Sequence, residues 1–140
     1  MKEKIDIVIS WIEKGDHDLG TAQVTFLYIP NFRDTIAFHC QQSVEKYLKA
    51  YLFFNDTVFK RSHNLSYLLS LVSQFDSVSD DLYDKAAELE DFSVEIRYPD
   101  SSIELSNEDI NQALAIARKF RTYLLGKMGL DILYEDIVKE

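Results

Sequence analysis

Apolar side chains recur at intervals of three and four along every long stretch of this 140-residue chain. No stretch shows the sustained alternation of a strand. That spacing commits the chain to helices. Only two prolines and four glycines interrupt it, so regular structure runs long and connections run short. The first helix is expected over about Lys4 to Leu27, with Trp11, Gly15, Leu19, Ala22 and Phe26 on its inner face and Ile5, Val8 and Ile12 extending it. Asn31 is placed to cap a second helix over Phe32 to Phe54, with Asp34 in its first turn.

A polar loop, Asn55 to Ser62, precedes a short third helix marked by Leu65, Leu68, Leu69 and Val72, which should fade before Asp76. Ser79 can cap a fourth helix whose inner face is Leu82, Ala86, Leu89, Ser93 and Ile96, flanked by Tyr83. Pro99 ends it, since the residue before a proline avoids the α region. Ser106 caps a fifth helix, with Ile110, Ala113, Leu114, Ala117, Phe120, Leu124 and Leu125 as its apolar face. Ala113, Ala115 and Ala117 would admit a close neighbour, and Gly126 and Gly129 bracket the end. A tail from Leu130 to Glu140 could add a turn or two through Ile132, Leu133 and Ile137. The expected fold is therefore all-α: an up-and-down antiparallel four-helix bundle with an additional short helix. It forms a single domain over 1–140, with its core at about 4–128 and an amphipathic tail at 130–140.

The formal charge of −9 argues against a protein that coats nucleic acid through a general basic field. A local anion site remains open to it, because the field in a cleft depends on the nearest groups. No window approaches the length of a membrane span, and Met1 to Asp6 lacks the pattern of a signal peptide. The lone Cys40 cannot form an internal disulfide, which suits the cytoplasm. It falls on an apolar arc and reads as a packing residue.

The second helix carries the most pointed pattern. At about 100° per residue, His39, Gln42, Lys46 and Lys49 share an arc of roughly 80°, beside an apolar arc of about 160° from Ile36, Ala37, Cys40, Val44, Tyr47, Leu48, Tyr51 and Leu52. The lysines can hold phosphate as mobile point charges, and the Gln42 amide can read a base or a sugar. The competing reading is a solvated face with Glu45 paired to Lys49 at i, i+4. Asp18 lies near the inner stripe of the first helix and needs a partner there; Lys46 is the natural candidate. His39 either donates to a phosphate or bonds within the core. Arg97 has the fork geometry for phosphate or carboxylate, Tyr98 can stack on a base, and Asp100 closes the turn; the alternative is helix capping with Tyr98 packed inward. Lys60, Arg61 and His63 form a small basic patch, in which His63 could hold an anion or cap the third helix. No metal-ligand spacing and no glycine-rich phosphate loop appears, so neither a metal nor a cofactor is expected.

These residues carry a resemblance. Trp11, Gly15, Asp18, Leu19 and Ala22, then His39, Gln41, Gln42, Glu45, Lys46, Lys49 and Ala50, then His63 with Leu65, then Arg97, Tyr98, Pro99 and Asp100 together resemble the HEPN domain over about Ile9 to Leu125. The resemblance implies an antiparallel bundle, often dimeric, that binds nucleotides. It also implies a separately encoded small nucleotidyltransferase as partner, in the manner of a toxin–antitoxin pair. Other members are metal-independent ribonucleases that use an Arg-x(4–6)-His motif. Arg33 and His39 satisfy that spacing, but six steps along a helix leave them some 120° apart, and no histidine follows Arg97. The leading expectation is thus a nucleotide- or RNA-phosphate-binding module with no membrane association. A ribonuclease toxin and a non-catalytic dimeric scaffold are the alternatives.

Overall fold

The computed structural model describes residues 3–95, 99 and 104–134, and among these it contains five helices and no strand. They are α1 (Lys4–Tyr28), α2 (Arg33–Phe54), α3 (Leu65–Val72), α4 (Asp80–Glu95) and α5 (Asn107–Met128). The α1–α2 connection is short enough to force an antiparallel hairpin. Contacts climb one helix as they descend the other: Lys4 meets Asp56, Gly15 meets Tyr47 and Asp18 meets His39. α2 and α5 run in the same sense, since Arg33 at the start of one bonds Asn107 at the start of the other at 2.8 Å. α2 touches all four other helices. That placement decides the fate of every polar side chain it carries.

The caps explain where the helices begin. Ser106 and Asp109 form a reciprocal capping box at α5. Ser79 accepts from the Leu82 amide at 3.3 Å at the start of α4. Two expected caps move. Phe32, not Asn31, occupies the N-cap of α2, and its side chain offers no acceptor. Asn64, not His63, caps α3 by accepting from the Tyr67 amide at 2.8 Å; the His63 ring is bonded elsewhere. Gly129 ends α5 in the left-handed conformation at φ 68°.

The apolar faces form one continuous core running through all five helices. Four details differ from the sequence pattern. Ile5 is 40% exposed at the open end of α1. Trp11 and Phe26 lie only partly buried at the core's edge. Ala115 points to solvent while Ala113 and Ala117 are buried, because three residues at i, i+2 and i+4 cannot share one helical face. The segment 130–134 is irregular rather than helical. Arg121 holds it by donating to the Ile132 carbonyl at 3.0 Å and stacking on Tyr134 at 5.2 Å. Ile96 and Ile137 lie outside the described residues. No described helix is long and apolar enough to cross a membrane.

Gly15 sets the closeness of α1 and α2. A Cβ there would lie 2.5 Å from Cε1 of Tyr47. Tyr47 is fully buried and its hydroxyl donates to Asp16 at 2.6 Å, so the ring cannot retreat. Gly15→Ala should therefore lower stability in urea unfolding by about 1–3 kcal/mol through overpacking, despite the gain of about 1 kcal/mol in helix propensity. Gly126→Ala, at a helical site with nothing within 4 Å, should instead raise it by about 0.5–1 kcal/mol.

Candidate functional site

The polar stripe of α2 divides into two carboxylate-centred clusters. Glu45 is almost wholly buried, with a side chain 3% exposed. A desolvated carboxylate survives only if its oxygens are occupied. Lys49 donates to Oε2 at 3.3 Å from the same helix. His63 reaches Oε1 through Nδ1 at 2.7 Å from the loop before α3. The Lys49 ammonium also lies 5.8 Å from the centre of the Trp11 ring, a cation–π contact that offsets part of its own desolvation. Because Glu45 only accepts, Nδ1 of His63 carries the proton in this bond. Nε2 is left as the ring nitrogen open to a further partner.

Asp18 of α1 centres the second cluster. One oxygen meets His39 Nδ1 at 2.8 Å and the other accepts from Lys46 Nζ. The partner expected for Asp18 is thus in place, and the pair joins α1 to α2. His39 packs edge-on against Phe38, with ring centres 5.5 Å apart. Arg33 is directed toward α5, with one guanidinium nitrogen on Asn107 and another, Nη1, buried without a partner among the described residues. Arg33 and His39 therefore serve different helices. Arg97, Tyr98 and Asp100 lie outside the described residues.

A cavity of about 470 Å³ opens between α2 and α4. Phe38, Gln41 and Gln42 line it from α2, His63 and Asn64 from the connection, and Glu90 and Ser93 from α4. Its size falls within the range of about 300–1,000 Å³ usual for small-molecule sites. Of the four residues on the polar stripe, Gln42 alone lines it; His39, Lys46 and Lys49 are turned to their carboxylates. Gln41 fixes the approach of the loop by donating to the His63 carbonyl at 2.9 Å. Glu90 accepts from the Leu65 amide, and the buried Ser93 hydroxyl donates to the Glu90 carbonyl at 3.2 Å. Sequence reasoning assigned Ser93 to the α4 core face and did not single out Glu90 or Phe38. It placed His63 beside an anion or at a cap, and missed its bond to Glu45. Nothing local announces a contact between residues 18 apart in sequence.

Away from the cavity, Asp16 ties three helices together. Asp16 takes both Nε and Nη2 of Arg121, at 2.8 and 3.1 Å, as well as the Tyr47 hydroxyl. Burial, then the bond to Asp16, holds Tyr47 far above the usual phenol range. Burial pushes the Cys40 thiol up to about 12, so at neutral pH it packs as a protonated side chain. Among the described residues, no three His, Cys, Asp or Glu side chains gather to hold a metal.

The model of the HEPN domain matches residues 8–128. Among solved structures, an archaeal HEPN homologue, ST0689, is 25% identical with a TM-score of 0.67, over 91% of this chain and 99% of that one. TT1696 from Thermus thermophilus shares the fold at 24% identity and a TM-score of 0.73, over 86% of this chain and 97% of its own. No curated protein matches the chain.

The buried Glu45 cluster makes a sharp energetic prediction. Lys49→Ala strips the carboxylate of its ammonium and should cost about 3–5 kcal/mol of stability in denaturant titration. Adding Glu45→Gln should recover a large part of that loss, because no unpaired charge then remains. A double variant as unstable as the single one would refute the pairing.

Proposed function

The chain belongs to the HEPN domain family, and from that premise we propose that it is a nucleotide- or RNA-phosphate-binding module whose ligand enters the cavity between α2 and α4. The observation that carries this reading is His63, 73% exposed in its side chain at the cavity rim yet fixed in orientation by a buried glutamate. An imidazole held this way is ready to meet a ligand without losing further rotamer freedom. Gln42 faces the same space with an amide that has no partner among the described residues and can donate and accept. Lys60 and Arg61, exposed on the loop that leads into His63, have no ion pair among the described residues. They supply positive charge on the chain segment that leads to the cavity rim. Lys46 and Lys49 contribute at one remove, by holding Asp18 and Glu45. The binding reading needs no intrinsic catalysis.

Partnership with a separately encoded small nucleotidyltransferase, as in a toxin–antitoxin pair, belongs to the same proposal and draws its support from the family alone. A homodimer is part of it too. The supporting feature is the exposed apolar turn between α1 and α2, where Leu27, Tyr28, Ile29 and Phe32 are 54%, 75%, 45% and 48% exposed. Four such side chains so close together form the kind of patch that self-association covers. If this turn is the dimer face, Tyr28→Ser with Phe32→Ser should shift the protein to monomer in sedimentation velocity without lowering its helicity.

Calorimetric titration with nucleotides at up to millimolar concentration tests the binding site. Gln42→Ala and His63→Ala should each weaken binding by up to about tenfold, the scale of one lost hydrogen bond. Lys60→Ala with Arg61→Ala should weaken it and flatten its salt dependence. Absence of any binding, together with no shift of the Gln42 or His63 resonances, would refute the module. Degradation of RNA by the purified protein would favour the ribonuclease reading instead.

A further inference from the structure

We infer that the interior of the α2/α4 cavity selects the nucleobase, accepting one with an exocyclic amino group and disfavouring uracil. The inference rests on the nucleotide-binding reading above and deepens it. Its ground is the imbalance between acceptors and positive donors in the lining. Glu90 spends one carboxylate oxygen on the Leu65 amide, and the other has no partner among the described residues. Ser93 gives its proton to the Glu90 carbonyl, so its oxygen keeps lone pairs for an incoming donor. His63 meets Glu45 through Nδ1, which leaves Nε2 as the ring nitrogen open to a ligand.

Against these stand the Gln42 amide, which can serve either role, the Asn64 amide, whose oxygen already accepts from the Tyr67 amide, and no lysine or arginine among the described lining residues. The Lys49 ammonium on α2 is turned to the other oxygen of Glu45. A phosphate inside would face the Glu90 carboxylate with no compensating cation among the described lining residues, at a cost that grows as water is excluded. The phosphate therefore stays outside, toward the loop that carries Lys60 and Arg61, and the base goes in.

Cytosine and uracil have nearly the same shape and differ where it matters. Cytosine carries an amino donor at position 4, whereas uracil carries a carbonyl there and sets its single imino proton between two carbonyls. A carboxylate attracts the first edge and repels the second. Adenine and guanine also bring amino donors. A site built to pair a polar group rejects an analogue lacking it more sharply than an apolar pocket rejects a missing methyl.

The test is calorimetric titration of the full chain with CMP, UMP and AMP under one salt condition. The expected result is CMP and AMP binding at least tenfold tighter than UMP. Glu90→Gln should shrink the CMP/UMP ratio to near one, since its amide can serve the uracil carbonyl. A wild-type CMP/UMP ratio below threefold overturns the selectivity while leaving nucleotide binding intact. Failure of all three nucleotides to bind overturns both. The wild-type ratio needs no variant, so a misfolded Glu90→Gln protein would not blunt the test.

Discussion

Burial of α2 on nearly every side governs this molecule. Glu45, Lys49, Gln41 and Ser43 all lie below a tenth exposed on that helix, and each polar group must find a partner inside or lose its water without return. Glu45 takes Lys49 and His63, Gln41 takes the His63 carbonyl, and Ser43 turns back to the Cys40 carbonyl at 2.7 Å. These bonds do more than satisfy the helix. They hold the loop before α3 against α2 and thereby shape the cavity that α4 completes.

One consequence is a separation of charges. The lysines that look from sequence like a landing strip for anions are engaged by Asp18 and Glu45. Among the described residues, Lys60 and Arg61 on the loop have no ion pair, and the lining between α2 and α4 carries no lysine or arginine. On the proposed reading, a chain of net charge −9 holds an anionic ligand by its edge and reads the uncharged portion within.

The fold was legible because it depends on period. Leu82, Ala86, Leu89 and Ser93 on α4 repeat every three or four residues and all are buried, and Ser79 and Ser106 cap as their side chains dictate. Asn31 misled because the chain makes its turn one residue later, where Phe32 supplies the first helical carbonyl. The site was only half legible. Asp18 with Lys46 and Glu45 with Lys49 follow from charge and helical position. Glu45 with His63, and Glu90 at the cavity wall, depend on how a loop folds back across a helix, and no one-dimensional spacing encodes that.

Cys40 sits at zero exposure in the first half of the most enclosed helix, with its thiol shifted up to about 12. Thiol-specific reagents act on the thiolate and need access to it, so the intact bundle shields this sulfur twice over. Modification then waits on the parting of α2 from its neighbours. A colorimetric thiol assay thereby becomes a clock for opening of the whole domain, built into the natural sequence and needing no introduced label.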